Sequence, residues 1–131
     1  MQSVFYNGAG KAVARLAGRL PLTVLPGEDL TGYRVEYVLT ADDVRAEAAR
    51  RMMMLVGARD ERHLEMTIAN GNREAIRLLR VGADNWTPEQ AARAAQLEQV
   101  DVMIEAIRAA SNVLEPVPPA DYADDRYWPA F

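Results

Sequence analysis

Side chains able to do nucleophilic or acid–base chemistry are scarce in this chain of 131 residues. It holds one histidine, His63, no cysteine, and two serines, Ser3 and Ser111. Nucleophilic catalysis needs a hydroxyl or thiol held beside a positioned base. Ser3 lies near the start of the chain and Ser111 lies on an apolar helix face, so we expect neither to be catalytic. This inventory predicts a protein that is not an enzyme and has no catalytic residue.

Metal and cofactor chemistry is also poorly represented. A zinc site on a helix needs two ligands four residues apart, whereas His63 has only Glu61 and Glu65 beside it. The acidic group Asp121, Asp124 and Asp125 lacks the glycine and the distal glutamate of a calcium-binding EF-hand loop. We therefore expect no metal site and no cofactor, with the three aspartates either solvated or paired with arginines of a partner.

Charge and hydropathy bound the possible partners. The formal net charge of -4 argues against binding to a phosphate backbone, and acidic residues are interleaved with the arginines. No apolar run approaches the roughly 20 residues of a membrane span, and the first residues do not resemble a signal peptide. The sequence thus predicts no nucleic-acid partner, no membrane partner and a soluble protein made in the cytoplasm.

The most regular element is a helix predicted over residues 88–114. Thr87-Pro88-Glu89-Gln90 combines a capping box with proline at the first helical position. Behind it, apolar and small residues recur at spacings of three and four, which is typical of a helix packed against another helix. The stripe consists of Leu97, Val100, Ile104, Ile107, Ser111 and Leu114. It predicts either a homo-oligomer, with a trimer compatible, or packing within one chain.

A C-terminal arm, residues 115–131, follows this helix. Pro116, Pro118 and Pro119 prevent the helix from continuing. Aromatic rings contribute much of the burial energy at protein interfaces and would be costly in a disordered tail. The arm carries four of them: Tyr122, Tyr127, Trp128 and Phe131. We predict that these aromatics, together with the apolar residues Leu97, Val100, Ile104, Ile107 and Leu114, contact a neighbouring molecule.

The first forty residues differ in kind from the remainder. They contain short β-type runs at residues 4–6, 22–25 and 33–39, separated by the turn sequences 7–10 and 26–29. In the third run Tyr33, Val35, Tyr37 and Leu39 alternate with polar residues, as in a half-buried strand. Residues 11–19 are compatible with a helical turn or with a strand.

Two further helices are predicted before the capped one. Thr40 precedes a helix over about residues 41–56, with Val44, Ala48, Met52 and Leu55 on its main face. Of Met52, Met53 and Met54, two are expected in the core and the third in a contact between subunits. A second helical stretch spans about residues 58–80, and Asn70-Gly71-Asn72 predicts either a kink or a turn within it.

These elements predict an α+β fold that is mostly α. We divide it into a β-rich attachment segment (1–40), a helical domain (41–114) that forms a hairpin or bundle ending in the long capped helix, and the extended aromatic arm (115–131). At 131 residues and 50% hydrophobic content the chain can bury one modest core.

Three parts of the sequence resemble a known kind of protein. They are GARD (57–60) leading into ANGNREAIRLLR (69–80), WTPEQ (86–90) continuing through IEAIRAASN (104–112), and PADYADDRYWP (119–129). They are similar to small proteins encoded near tail and tail-fibre genes of tailed bacteriophages and prophages of alphaproteobacteria and their relatives. The first forty residues do not share in this resemblance.

The resemblance implies a virion structural protein of the tail, baseplate or fibre, assembled in the host cytoplasm and bound to other virion proteins. The alternative that it leaves open is a tail or tail-fibre assembly chaperone absent from the mature particle. An enzyme is a third class, for which His63 would be the one evident base.

Overall fold

A three-stranded antiparallel sheet forms the N-terminal part of the chain. The computed structural model describes residues 1–27 and 29–130. Strands β1 (Gln2–Tyr6), β2 (Ala12–Ala17) and β3 (Arg34–Val38) lie in the order β2-β1-β3. The segment whose structure the sequence left open, residues 11–19, is thus mainly a strand. The run at 22–25 is not a strand, as predicted, but a single 3-10 turn, Leu22–Val24, which follows Pro21.

The sheet buries the face that the alternating pattern of β3 predicts. Val35 pairs with Phe5 and Tyr37 pairs with Ser3, and both Ser3 and Phe5 are fully buried. The Ser3 hydroxyl donates to the carbonyl of Gly18 at 2.6 Å and accepts the N–H of Leu20 at 2.8 Å. Because Ser3 satisfies both backbone groups, the chain after β2 is held across this face of the sheet.

Three α-helices follow, and their ends are set by local chemistry. Helix α1 spans Ala41–Val56, α2 spans Glu61–Val81 and α3 spans Pro88–Leu114. The predicted bounds of α1 and α3 are confirmed. The N–H of Gln90 donates to the Thr87 hydroxyl at 3.1 Å and the N–H of Thr87 donates to the Gln90 side chain at 2.9 Å, which is the predicted capping box. Gly57 ends α1 with φ of 70°, a left-handed conformation that glycine adopts at low cost.

Helix α2 is continuous, which corrects the prediction of an interruption at Asn70-Gly71-Asn72. Gly71 has ordinary helical geometry, and a Cβ built there would lie 3.6 Å from Cδ2 of Leu97 on α3. The small residue therefore marks a close approach of two helices, and the packing supplies what the poor helix propensity of these residues lacks.

The hydrophobic core lies between α1 and α3. Its buried members are Val44, Ala48, Ile107, Leu114 and Trp128, the last contributed by the C-terminal arm. Met52 and Leu55 pack against this cluster, as their predicted position on the main face of α1 requires. The arm contains no α-helix or strand up to residue 130, and it folds back across α1 and α3.

The fold class is α+β and mostly α, as predicted, with all three strands before residue 40 and all three helices between 41 and 114. In the described part of the chain no helix combines the length and the apolar character needed to cross a membrane.

Candidate functional site

The residues first considered for chemistry have structural roles in this fold. The backbone N–H of His63 donates to Asp60, the N-cap of α2, at 2.7 Å, and the His63 Nδ1 atom accepts the N–H of Arg59 at 3.1 Å. His63 thus stabilises the start of α2. Ser111 is buried in the packing of α3. Over residues 1–27 and 29–130, no three His, Cys, Asp or Glu side chains lie together in an arrangement that could hold a metal ion.

The three aspartates of the arm pair with groups of their own chain. Asp125 accepts a hydrogen bond from Arg51 of α1 at 2.8 Å, and Asp121 pairs with Arg126. Asp124 accepts the backbone N–H of Arg126 at 3.0 Å and caps the 3-10 turn Asp125–Tyr127. The arginine partners that the sequence suggested on another molecule are therefore present within the same chain.

The apolar stripe of α3 is divided between two environments. Ile104, Ile107 and Leu114 are buried, and the last two belong to the core shared with α1. For these three residues the structure gives intramolecular packing in place of the predicted neighbouring subunit, because α1 occupies the partner position. Leu97 and Val100, nearer the start of α3, are only half-buried.

The aromatic residues of the arm are likewise seated on their own chain. Trp128 is 6% exposed, and its indole N–H donates to the carbonyl of Tyr122 at 2.7 Å. Tyr122 and Tyr127 pack against the core beside it. The structure thus replaces the predicted intermolecular contact of these aromatics with a contact across α1 and α3. Phe131 lies outside the described residues.

Arg51 holds the arm in place, a role that the sequence did not indicate. Its guanidinium is 8% exposed and donates to Glu47, to Asp125 and to the carbonyl of Ala123, at 2.8 to 2.9 Å. Hydrogen bonds from Arg50, with a further contribution from Arg51, hold the pKa of Glu47 below its ordinary value of 4.5 although burial acts in the opposite direction. The charge of Arg51 is thereby compensated in a low-exposure site.

The principal open surface is a groove between α2 and α3, which we call the α2–α3 groove. It has a volume of about 830 Å³. Apolar side chains of both helices line it, among them Ile68, Leu78, Leu79, Leu97, Val100 and Ile104. Trp86 lines the groove as well, and its indole N–H donates to the carbonyl of Leu78 at 2.8 Å across the turn between the helices.

Apolar exposure is concentrated on the α2 wall of this groove. The side chain of Leu79 is 74% exposed and that of Ile76, three residues earlier, is 49% exposed. Sequence periodicity placed Leu79 on the same face as Leu64 and Leu78, both of which are buried. A contiguous apolar surface of this kind is typical of a protein–protein contact.

The two walls of the groove differ in charge. On α2, Arg73 and Arg80 stand three and four residues from Ile76, so they share its helix face. On α3, Glu98 and Asp101 line the groove and also share one face. Within the described ranges, none of these four side chains has an ion-pair partner within 4.0 Å.

One bidentate ion pair joins the helices at the groove. Arg93 Nε and Nη2 donate to the two carboxylate oxygens of Glu74 at 2.8 and 2.9 Å. These hydrogen bonds lower the pKa of Glu74 below its ordinary value. The pair fixes the separation of α2 and α3, so the groove is a preformed feature of the helix hairpin.

The fold and this surface define a small helix-rich α+β protein with an open interhelical groove. No protein-family model, curated protein or solved structure matches the chain.

Proposed function

We propose that this chain is a non-enzymatic structural protein of a tailed-bacteriophage virion, in the tail, baseplate or fibre region, which assembles by docking on neighbouring subunits. The observation that carries the assembly role is the open α2–α3 groove with its exposed residue Leu79. A groove of this size beside exposed apolar residues supports a contact with another folded surface. The virion setting is supported by the resemblance of residues 57–60, 69–80, 86–90, 104–112 and 119–129.

The N-terminal sheet offers a second means of attachment. β2 and β3 are the outer strands, and within the described residues each is paired only with β1. An outer strand presents backbone N–H and C=O groups that can pair with a strand of another protein. This supports a role for residues 1–40 in attachment to other virion proteins.

The alternative function is a tail or tail-fibre assembly chaperone. The same groove favours this reading too, since an open apolar surface can bind a segment of a client protein reversibly. The two functions differ in whether the chain remains in the finished particle, within which it would be assembled from the host cytoplasm.

Quantitative mass spectrometry of purified particles tests the proposal. A fixed number of copies per particle is expected for a structural protein. Particles that lack the chain, from a strain whose infectious titre nevertheless depends on it, would identify a chaperone. A chain absent from particles and dispensable for titre would contradict both functions.

A pair of matched variants connects this test to the groove. Leu79→Asp introduces a charge at a groove residue that is 74% exposed, and Val113→Asp does so at an α3 residue that is 78% exposed and does not line the groove. We expect Leu79→Asp to reduce incorporation and titre and Val113→Asp to retain both. Equal effects of the two variants would mean that the groove is not the assembly surface.

A further inference from the structure

We infer that the occupant of the α2–α3 groove is a second copy of this chain, bound so that the α2–α3 hairpins of two protomers form an antiparallel four-helix layer. This inference rests on the groove being the assembly surface of the proposed function, and it is independent of the particle in which the protein assembles.

Charge complementarity is the first argument for a second copy. The α2 wall carries Arg73 and Arg80, and the α3 wall carries Glu98 and Asp101. A two-fold axis through the groove places α2 of one protomer against α3 of the other, and the same contact occurs twice because such an interface is isologous. Each basic row then faces an acidic row, whereas a partner helix of a single charge sign would be repelled by one wall.

Apolar complementarity follows the same arrangement. Leu79 and Ile76 project from the α2 wall, and the groove floor beside them contains Leu97 and Val100. In the two-fold arrangement, Leu79 of each protomer packs over the groove of the other, so the projecting side chains of one copy fill the opening in the second. Four-helix assemblies commonly bury such inward faces between two hairpins.

Candidate occupants from within the same chain are already engaged. The aromatic residues of the arm pack on α1 and α3, with Trp128 in the core cluster and Arg51 bonded to Ala123 and Asp125. The described arm therefore does not provide the apolar side chains that would fill the groove.

Two charge-reversed variants of the full chain test the arrangement. Arg73→Glu with Arg80→Glu makes both walls acidic, and Glu98→Arg with Asp101→Arg makes both walls basic. Sedimentation velocity at a series of concentrations should show the wild-type chain as a dimer. Each double variant alone should self-associate roughly tenfold more weakly or not at all. An equimolar mixture should recover dimerisation, because α2 of each variant then faces an α3 of opposite charge.

Matched controls separate the interface from general effects of charge. Leu79→Asp should give a monomer and Val113→Asp should remain a dimer. Lys11→Glu with Arg15→Glu, which changes the same net charge on β2, should also remain a dimer. Circular dichroism shows whether each variant is folded, and recovery in the mixture verifies that the charge-reversed chains are competent to bind.

Three outcomes would overturn the second-copy occupant: a wild-type monomer at every concentration, an oligomer indifferent to Leu79→Asp, or no recovery on mixing. A monomer found at fixed copy number in particles would overturn this inference and leave the virion function in place. A dimer with the expected mutational pattern that is absent from particles would support the inference and contradict the virion function.

Discussion

Arg51 of α1 lies against the indole ring of Trp128 in the C-terminal arm, with its guanidinium carbon 5.1 Å from the ring centroid. The two residues are 77 positions apart in a chain of 131, and both are nearly inaccessible to solvent. A buried guanidinium over an indole face combines cation–π attraction with hydrogen bonds from its edge to Asp125 and Ala123. This contact turns the arm into part of the core.

Replacement of Arg51 should destabilise the fold and loosen the arm. Arg51→Ala removes charge-assisted hydrogen bonds to Glu47 and Asp125 and one bond to a backbone carbonyl. We expect the free energy of unfolding to fall by about 2 kcal/mol, measured by urea denaturation. Arg108→Ala is the control, since its pair with Glu105 is exposed and should contribute no more than about 0.5 kcal/mol. Similar losses for the two variants would contradict a role for burial.

Trp128 should be the main apolar anchor of the arm. Trp128→Ala leaves a cavity beside Ile107 and Leu114 and should cost about 3 to 5 kcal/mol. Trp128→Phe keeps most of the buried ring but removes the hydrogen bond to Tyr122, so a loss of about 1 kcal/mol is expected. Limited trypsin digestion after Arg126 provides a local measurement. Cleavage should be fastest in Trp128→Ala and slowest in the wild type, and equal rates would show that the ring does not hold the arm.

The glycines at positions 57 and 71 should respond in opposite ways to the same substitution. Gly71 is in the interior of α2, and an added Cβ would meet Leu97 at an ordinary contact distance of 3.6 Å. Gly71→Ala should therefore raise the free energy of unfolding by about 0.5 to 1 kcal/mol. Gly57 has φ of 70°, so Gly57→Ala should lower it by about 1 kcal/mol. Thermal denaturation of both variants checks the signs, and destabilisation by Gly71→Ala would contradict a straight α2.

Acid should weaken the contact between α1 and the arm through Glu47. Because its pKa in the folded protein lies below the ordinary value of 4.5, the unfolded chain binds more protons in the interval between the two pKa values. The associated stability is present above pH 4.5 and is lost as the pH falls through the pKa of the folded state. Glu47→Gln should be less stable than the wild type near neutral pH, and the difference should narrow as the pH approaches about 3. Parallel stability curves for the two proteins would contradict this mechanism.

Local signals in the sequence determined the helix ends and the main apolar faces. Thr87, Pro88 and Gln90 fix the start of α3 because a capping box satisfies backbone groups within four residues of one another. The alternation in β3 likewise predicts which of its side chains face Ser3 and Phe5. These features depend on neighbours in the chain, and periodicity is sufficient to find them.

The tertiary structure decided which surfaces are occupied. The stripe on α3 predicts that the helix is packed, but Ile107 could meet α1 or a neighbouring subunit with the same pattern. Trp128 and Arg51 illustrate the same limit, since their contact joins residues far apart in the chain and leaves no periodic trace. The α2–α3 groove arises from the separation of two helices fixed by Arg93 and Glu74. Sequence determines which faces are apolar, whereas only the packed arrangement of helices determines which of those faces remain open.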